Sequence, residues 1–163
     1  MLKSKLLSRD SKTKIYKTLI KPVVMYGSET WTLTKNDEQR LLVWERKILR
    51  KIYGPLKIGD IWRIRTNTEL KDLYKDLDIV TDIKKRRLRW VGHLERMGED
   101  RGCRKIYRGK PEGRRKTGRP RKRWVDGVEE DLKKMGVRGW RRKALERKEW
   151  KEIVGKAKVL QGL

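Results

Sequence analysis

A mostly α fold follows from three observations on the sequence. Apolar residues recur at three- and four-residue steps over several stretches. Thr and Ser precede those stretches at positions suited to capping a helix. The one alternating stretch, Ile58–Arg65, alternates only weakly. The expected architecture is a helical region over residues 1–98, a flexible basic linker with Gly and Pro over 99–121, and a C-terminal helical segment over 122–163 that forms a pair.

The first helix is expected over Ser8–Tyr26. Ile15, Leu19, Val23 and Tyr26 form its stripe, Ser8 or Asp10 caps it, and Pro22 kinks or shortens it. Tyr26–Trp31 then interrupts the periodicity as a turn or short strand. Thr34 opens the second helix with Asp37 and Glu38 in its first turn, where the helix dipole favours negative charge. Leu41, Trp44, Ile48 and Ile52 line its buried face, and Gly54-Pro55 stops it. Ile58–Arg65 reads as a loop or a short extended piece. Thr66-Asn-Thr-Glu69 has the spacing of a capping box for a short helix through Leu70, Leu73 and Tyr74. Asp78 or Thr81 opens a longer helix to about Met97, with Ile79, Ile83, Trp90, Val91, Leu94 and Met97 apolar. Few apolar residues remain between 99 and 121, hence a linker or basic arm. Trp124, Val128, Leu132 and Met135 form a further stripe closed by Gly136, and Arg138–Leu160 gives the last one.

Composition narrows the function. The 163 residues, about one domain by length, carry 47 Lys and Arg against 22 Asp and Glu, a net charge of +25. Such a chain repels itself, and a polyanion relieves the repulsion. Nucleic acid is the first candidate partner and an anionic membrane surface the second. The single Cys103 forms no internal disulfide, and with a single His the chain cannot supply the four ligands of a structural zinc site. No apolar run approaches the roughly 18 residues of a membrane span, and Met1–Leu7 lacks the apolar core of a signal peptide. A reducing, intracellular setting is therefore expected, without a membrane partner.

No catalytic set emerges. The sequence has no Asp-Asp pair, no phosphate loop ending in Gly-Lys-Ser/Thr and no His-Glu-x-x-His. His93, at a helix end, and Cys103, in a loop, read as structural rather than as a nucleophile–base pair. No cofactor or metal is expected. The seven Trp residues read first as core anchors. Trp31 and Trp62 lie outside the clear helices and are candidates for stacking on bases.

The charge is concentrated. Residues 84–123 hold 18 Lys and Arg against 4 acids, a local net of +14. Lys84, Lys85, Arg86, Arg87 and Arg89 spread around most of a helix, so one or two turn inward unless they meet phosphate. Arg114, Arg115, Lys116, Arg119, Arg121, Lys122 and Arg123 flank a stretch rich in Gly and Pro. Arg is frequent here, and its planar fork suits phosphate oxygens. These twelve residues are the expected nucleic-acid contacts. Gly118-Arg119-Pro120 resembles the core of an AT-hook, whose Arg reaches the floor of an A·T minor groove. The usual hook has Arg before the Gly, and here that residue is Thr117. The alternative is a basic turn that touches only phosphate, or a nuclear import signal.

The run Tyr16–Thr34, with Lys21-Pro-Val-Val-Met-Tyr-Gly-Ser-Glu-Thr-Trp31 at its centre, resembles the segment just after the palm of non-LTR (LINE-type) retrotransposon endonuclease/reverse transcriptases. Glu45–Pro55, Arg87–Met97, Gly118–Trp124 and Trp140…Ala144…Arg147…Trp150 are similar to that family's C-terminal end, in order. The resemblance covers about Ser8 to Ala157. It implies that residues 1–98 correspond to a thumb-like unit gripping template and primer, and 99–163 to a basic C-terminal extension. The family's catalytic carboxylates lie upstream, so the chain is expected to lack polymerase activity. Met1 is then expected to be only the start of a gene model, a remnant left when an element decayed. The lone Cys103 implies that it lacks the zinc knuckle of some members.

The expected function is sequence-tolerant binding of RNA or DNA, alongside the remainder of a reverse transcriptase, in the nucleus with a cytoplasmic ribonucleoprotein stage. The alternatives are a ribosomal-type structural component of a ribonucleoprotein, an amphipathic membrane-surface binder, and a fossil reading frame without a selected role.

Overall fold

The first-turn chemistry that marks helix starts in the sequence recurs in the computed structural model, which describes residues 2, 4, 6–109 and 122–160. The protein is mostly α. Its strands, among the described residues, form one antiparallel hairpin. Two compact units divide the chain: Met1–Gly27 with Leu33–Val80, and Ser28–Thr32 with Thr81–Leu163.

In the first unit, α1 (Arg9–Ile15) starts at Ser8, whose Oγ accepts from the Ser11 amide at 3.1 Å. It passes through a wider π turn (Tyr16–Ile20) into α2 (Lys21–Val24). The Lys21 amide donates to the Tyr16 carbonyl, five residues back. Pro22 explains the position of this turn, because its ring lacks an N–H and crowds the carbonyl of residue i−4. The extra residue per turn corrects the expected stripe. Tyr16, Lys21 and Met25 face inward, whereas Leu19, Val23 and Tyr26 are exposed. Residues 28–30 form a short 3₁₀ turn rather than a strand.

Helix α3 (Lys35–Tyr53) has a complete capping box. Thr34 Oγ1 accepts from the Asp37 amide at 3.2 Å, and the Thr34 amide donates to Asp37 Oδ2 at 3.0 Å. The Thr34 hydroxyl and then its amide hold the Asp37 carboxyl below the usual range. Thr34→Ala should therefore cost about 1 kcal/mol in chemical denaturation, and Thr34→Ser should retain most of it. Gly54 ends the helix at φ +69°, a conformation that favours glycine. Strands β1 (Leu56–Ile58) and β2 (Ile61–Arg63) follow as a hairpin, then α4 (Asn67–Tyr74), capped by Thr66 and Glu69 as its spacing predicts.

The core of this unit joins Tyr16 to Ile48, Leu49, Ile52, Tyr53, Leu70 and Tyr74. Its polar centre is Glu45, only 3% exposed. The carboxylate accepts from Tyr16 Oη at 2.6 Å and from the Ile79 amide at 2.9 Å. Burial still pushes its pKa up against these hydrogen bonds. Lys21, also buried, donates to the Leu77 carbonyl at 2.8 Å.

In the second unit, α5 (Ile79–Arg96) carries Leu88 and Val91 into a core with Val128, Leu132, Trp140, Ala144, Trp150, Ile153, Val154, Ala157 and Leu160. Gly102–Arg108 is a helix, α6, which corrects the expectation that the whole stretch after 99 is linker and that Cys103 lies in a loop. Its reason lies in buried polar pairing. Arg104 reaches Glu95 at 2.9 Å, and Tyr107 Oη donates to the same carboxylate at 2.6 Å. Helix α7 (Trp124–Lys134) follows the predicted stripe. The last stripe is broken at Glu146 into α8 (Trp140–Leu145) and α9 (Arg147–Gly155), followed by a 3₁₀ turn over Lys156–Leu160.

Candidate nucleic-acid interface

Helices α5 and α9 approach closely because one position between them has no side chain. A Cβ on Gly92 would lie 2.1 Å from Trp150 Nε1. With glycine there, the indole N–H donates to the Leu88 carbonyl at 2.9 Å. Alongside this crossing runs a groove of about 340 Å³, lined by Lys85, Arg89 and Arg96 of α5 and Arg147, Trp150, Lys151, Val154 and Gly155 of α9. Among the described residues, five cations line it and no acid does. No described carboxylate lies within ion-pair distance of Lys85, Arg89, Arg147 or Lys151. Arg96 Nη1 donates to the Ala144 carbonyl. Its burial, and then the charge of Arg147, lower its pKa. Like charges gathered around an apolar floor, without an internal acid, favour an anion that several of them share.

The structure separates the basic run on α5 into three kinds. Lys85 and Arg89 line the groove, and Arg86 is exposed away from it. Lys84 and Arg87 are each 3% exposed and turn inward to Asp131. Arg87 Nη2 pairs with Asp131 Oδ2 and donates to the Gly127 carbonyl at 3.3 Å, and Lys84 Nζ lies 4.0 Å from Asp131 Oδ1. Lys122 and Arg123 are exposed, Lys122 pairing with Glu130 at 2.6 Å. Arg114, Arg115, Lys116, Arg119 and Arg121 lie outside the described residues, as does the Gly118-Arg119-Pro120 core. Sequence reasoning missed Arg96, Arg147 and Lys151. Their signal was spacing: 85, 89 and 96 fall on one face of a 3.6-residue helix, and 147 and 151 are one turn apart.

A second pocket of about 260 Å³ involves Glu95, Tyr107, Arg108, Arg123, Val125 and Arg141. Here acids accompany the cations. Arg108 pairs with Glu99 at 2.8 Å and Arg141 with Glu129 at 2.9 Å, both also within 4 Å of Glu95. The phenol of Tyr107 is pushed well up, first by burial and then by its hydrogen bond to Glu95.

His93 is exposed with its ring 5.3 Å from that of Trp90, and Cys103 is exposed at the start of α6. Among the described residues no three His, Cys, Asp or Glu side chains are grouped to hold a metal ion. Nor is any described helix long and apolar enough to cross a membrane.

No protein-family model matches the chain, and no solved structure does. The chain is 24% identical over 149 residues to an uncharacterized transposon-derived protein of Caenorhabditis elegans. That alignment takes in 88% of this chain and 53% of the relative, so the chain spans about half the length of the protein it matches. The similarity points to a transposon origin.

Proposed function

We propose that the chain binds RNA or DNA through the phosphate backbone, as the thumb and basic C-terminal extension of a non-LTR retrotransposon reverse transcriptase, without polymerase activity of its own. The observation that supports this reading is the groove between α5 and α9, where five cations converge and, among the described residues, no acid lines the wall. Phosphate contacts carry no base information, so binding is sequence-tolerant. The similarity to a transposon-derived protein agrees with such an origin.

Binding of the purified chain to an A·T-rich duplex, a G·C-rich duplex and a structured RNA, each across a salt series, tests it. Neutralising about six phosphates predicts an affinity loss of roughly 10³-fold between 50 and 200 mM salt, alike for the two duplexes. A folded protein that binds none of the three at 50 mM salt would refute the proposal. A preference for the A·T-rich duplex that disappears in Arg119→Ala would instead assign minor-groove reading to Gly118-Arg119-Pro120.

A further inference from the structure

Of the seven Trp residues, six are buried or half-buried, and the exception is Trp62, 63% exposed on β2. A short two-stranded hairpin is by itself marginal in water. This one is anchored at its base. The Arg63 guanidinium grips the Glu69 carboxylate through both Nη atoms, Nη1 at 3.0 Å from Oε2. Arg63, aided by the Thr66 amide, draws the Glu69 pKa down to about 2. Arg65 Nε donates to the Gly54 carbonyl at 3.1 Å, and Arg50 Nε to the Arg65 carbonyl at 3.3 Å. A two-residue turn with Gly59 at φ +58° closes the other end.

The anchoring holds an indole in water, and its surroundings indicate the ligand. Lys57 pairs directly across the ladder from Trp62, so both side chains share one face. The Lys57 side chain is half exposed, and the acid it pairs with, Asp60 at 3.7 Å, is fully solvated. Residues 50–69 hold five Lys and Arg against Asp60 and Glu69, a local net of +3. An apolar peptide has no use for this charge. A nucleotide uses both features, its base against the ring and its phosphate near the ammonium.

We propose that Trp62 is a stacking platform for an unpaired nucleobase, with Lys57 beside it for the adjoining phosphate. This rests on the nucleic-acid reading above and adds a preference for single-stranded segments or strand ends. Because the side chain is exposed, its removal leaves the core intact.

The test uses the full chain with two probes, a 12-nucleotide single strand carrying 2-aminopurine and a blunt duplex of 12 base pairs. Trp62→Ala should weaken single-strand binding about 5- to 100-fold, leave duplex binding within about twofold, and abolish quenching of 2-aminopurine. Trp62→Phe should keep most of the affinity. Unchanged single-strand binding in Trp62→Ala would overturn the proposal, as would an equal loss on both probes. An equal loss of single-strand binding in Ile58→Ser/Ile61→Ser, a pair on the opposite face, would also overturn it, by showing a general apolar contact. So would loss of self-association in Trp62→Ala with strand binding intact, which would assign the face to protein. Each of these leaves the groove reading standing. Failure of the wild-type chain to bind either probe at 50 mM salt would remove both.

Discussion

Asp131→Ala should destabilise the second unit by about 3–5 kcal/mol, read from chemical denaturation, with Lys84 and Arg87 still in place. The magnitude follows from what is left behind. Arg87 and Asp131 are each about 3% exposed, so removal of the carboxylate leaves the Arg87 guanidinium in a poorly solvated interior without its acid. Arg87 already has its Nε buried without a hydrogen-bond partner, so the Asp131 contact carries much of the compensation of that guanidinium. The same logic predicts a rescue. Replacing the three together by apolar residues, Lys84→Met, Arg87→Met and Asp131→Leu, removes the charges with their partner and should recover most of the loss. A cost below about 1 kcal/mol for Asp131→Ala would mean that water reaches the cations. Lys84 and Arg87 would then be available at the surface after all.

This triad also shows where the sequence stops being readable. Local chemistry was legible: Thr34 and Thr66 cap their helices as their spacing requires, and the stripe Trp124, Val128, Leu132 marks the inner face of α7. Charged residues on inner faces were not. Lys84 and Arg87 lie in a run of cations, and Glu45 and Glu95 are each followed by an Arg, as residues on a solvated face would be. Arg87, Glu45 and Glu95 find their partners Asp131, Tyr16 and Arg104 at separations of 44, 29 and 9 residues. Periodicity records apolarity, and an ion buried against a distant partner reads like a solvated one. Five cations among the six positions 84–89 of one helix could not all face water, which the helical spacing does show. Which of them turn inward depends on where α7 places Asp131. The N-terminal stripe failed for a different reason. The π turn at Tyr16–Ile20 shifts the helical phase within it and beyond it, so Leu19 and Val23 leave the face that a regular helix would give them. Helix α6 was hidden because its fold comes from Glu95 rather than from an apolar stripe of its own.

Neutralising the groove should have the largest effect on binding. In the variant Lys85→Gln/Arg89→Gln/Arg147→Gln/Lys151→Gln, four positive charges leave a wall that has no acid among the described residues to be unbalanced. None of the four is buried, so folding should persist. Removing one phosphate interaction lowers the slope of log affinity against log salt by about 0.9 for duplex DNA, and removing four lowers it by about 3 to 4. At moderate salt the affinity should fall by roughly 10²- to 10³-fold, given about 0.7–1 kcal/mol for each solvent-exposed phosphate contact. Net charge alone also changes binding, so a matched control decides the matter. Lys105→Gln/Lys133→Gln/Lys134→Gln/Arg138→Gln removes the same charge from positions that do not line the groove. A groove that holds the backbone predicts a much smaller loss in this control, because only long-range attraction is reduced and salt screens it over about 10 Å at 0.1 M. Equal losses in both variants would show that the +25 charge acts as a diffuse field with no seat in the groove. Arg96 then supplies the finer distinction. Its guanidinium is tied to the Ala144 carbonyl and pressed by Arg147. Phosphate binding should therefore protect the backbone around Ala144 from hydrogen exchange in the wild type, and should no longer do so once the four surrounding charges are gone.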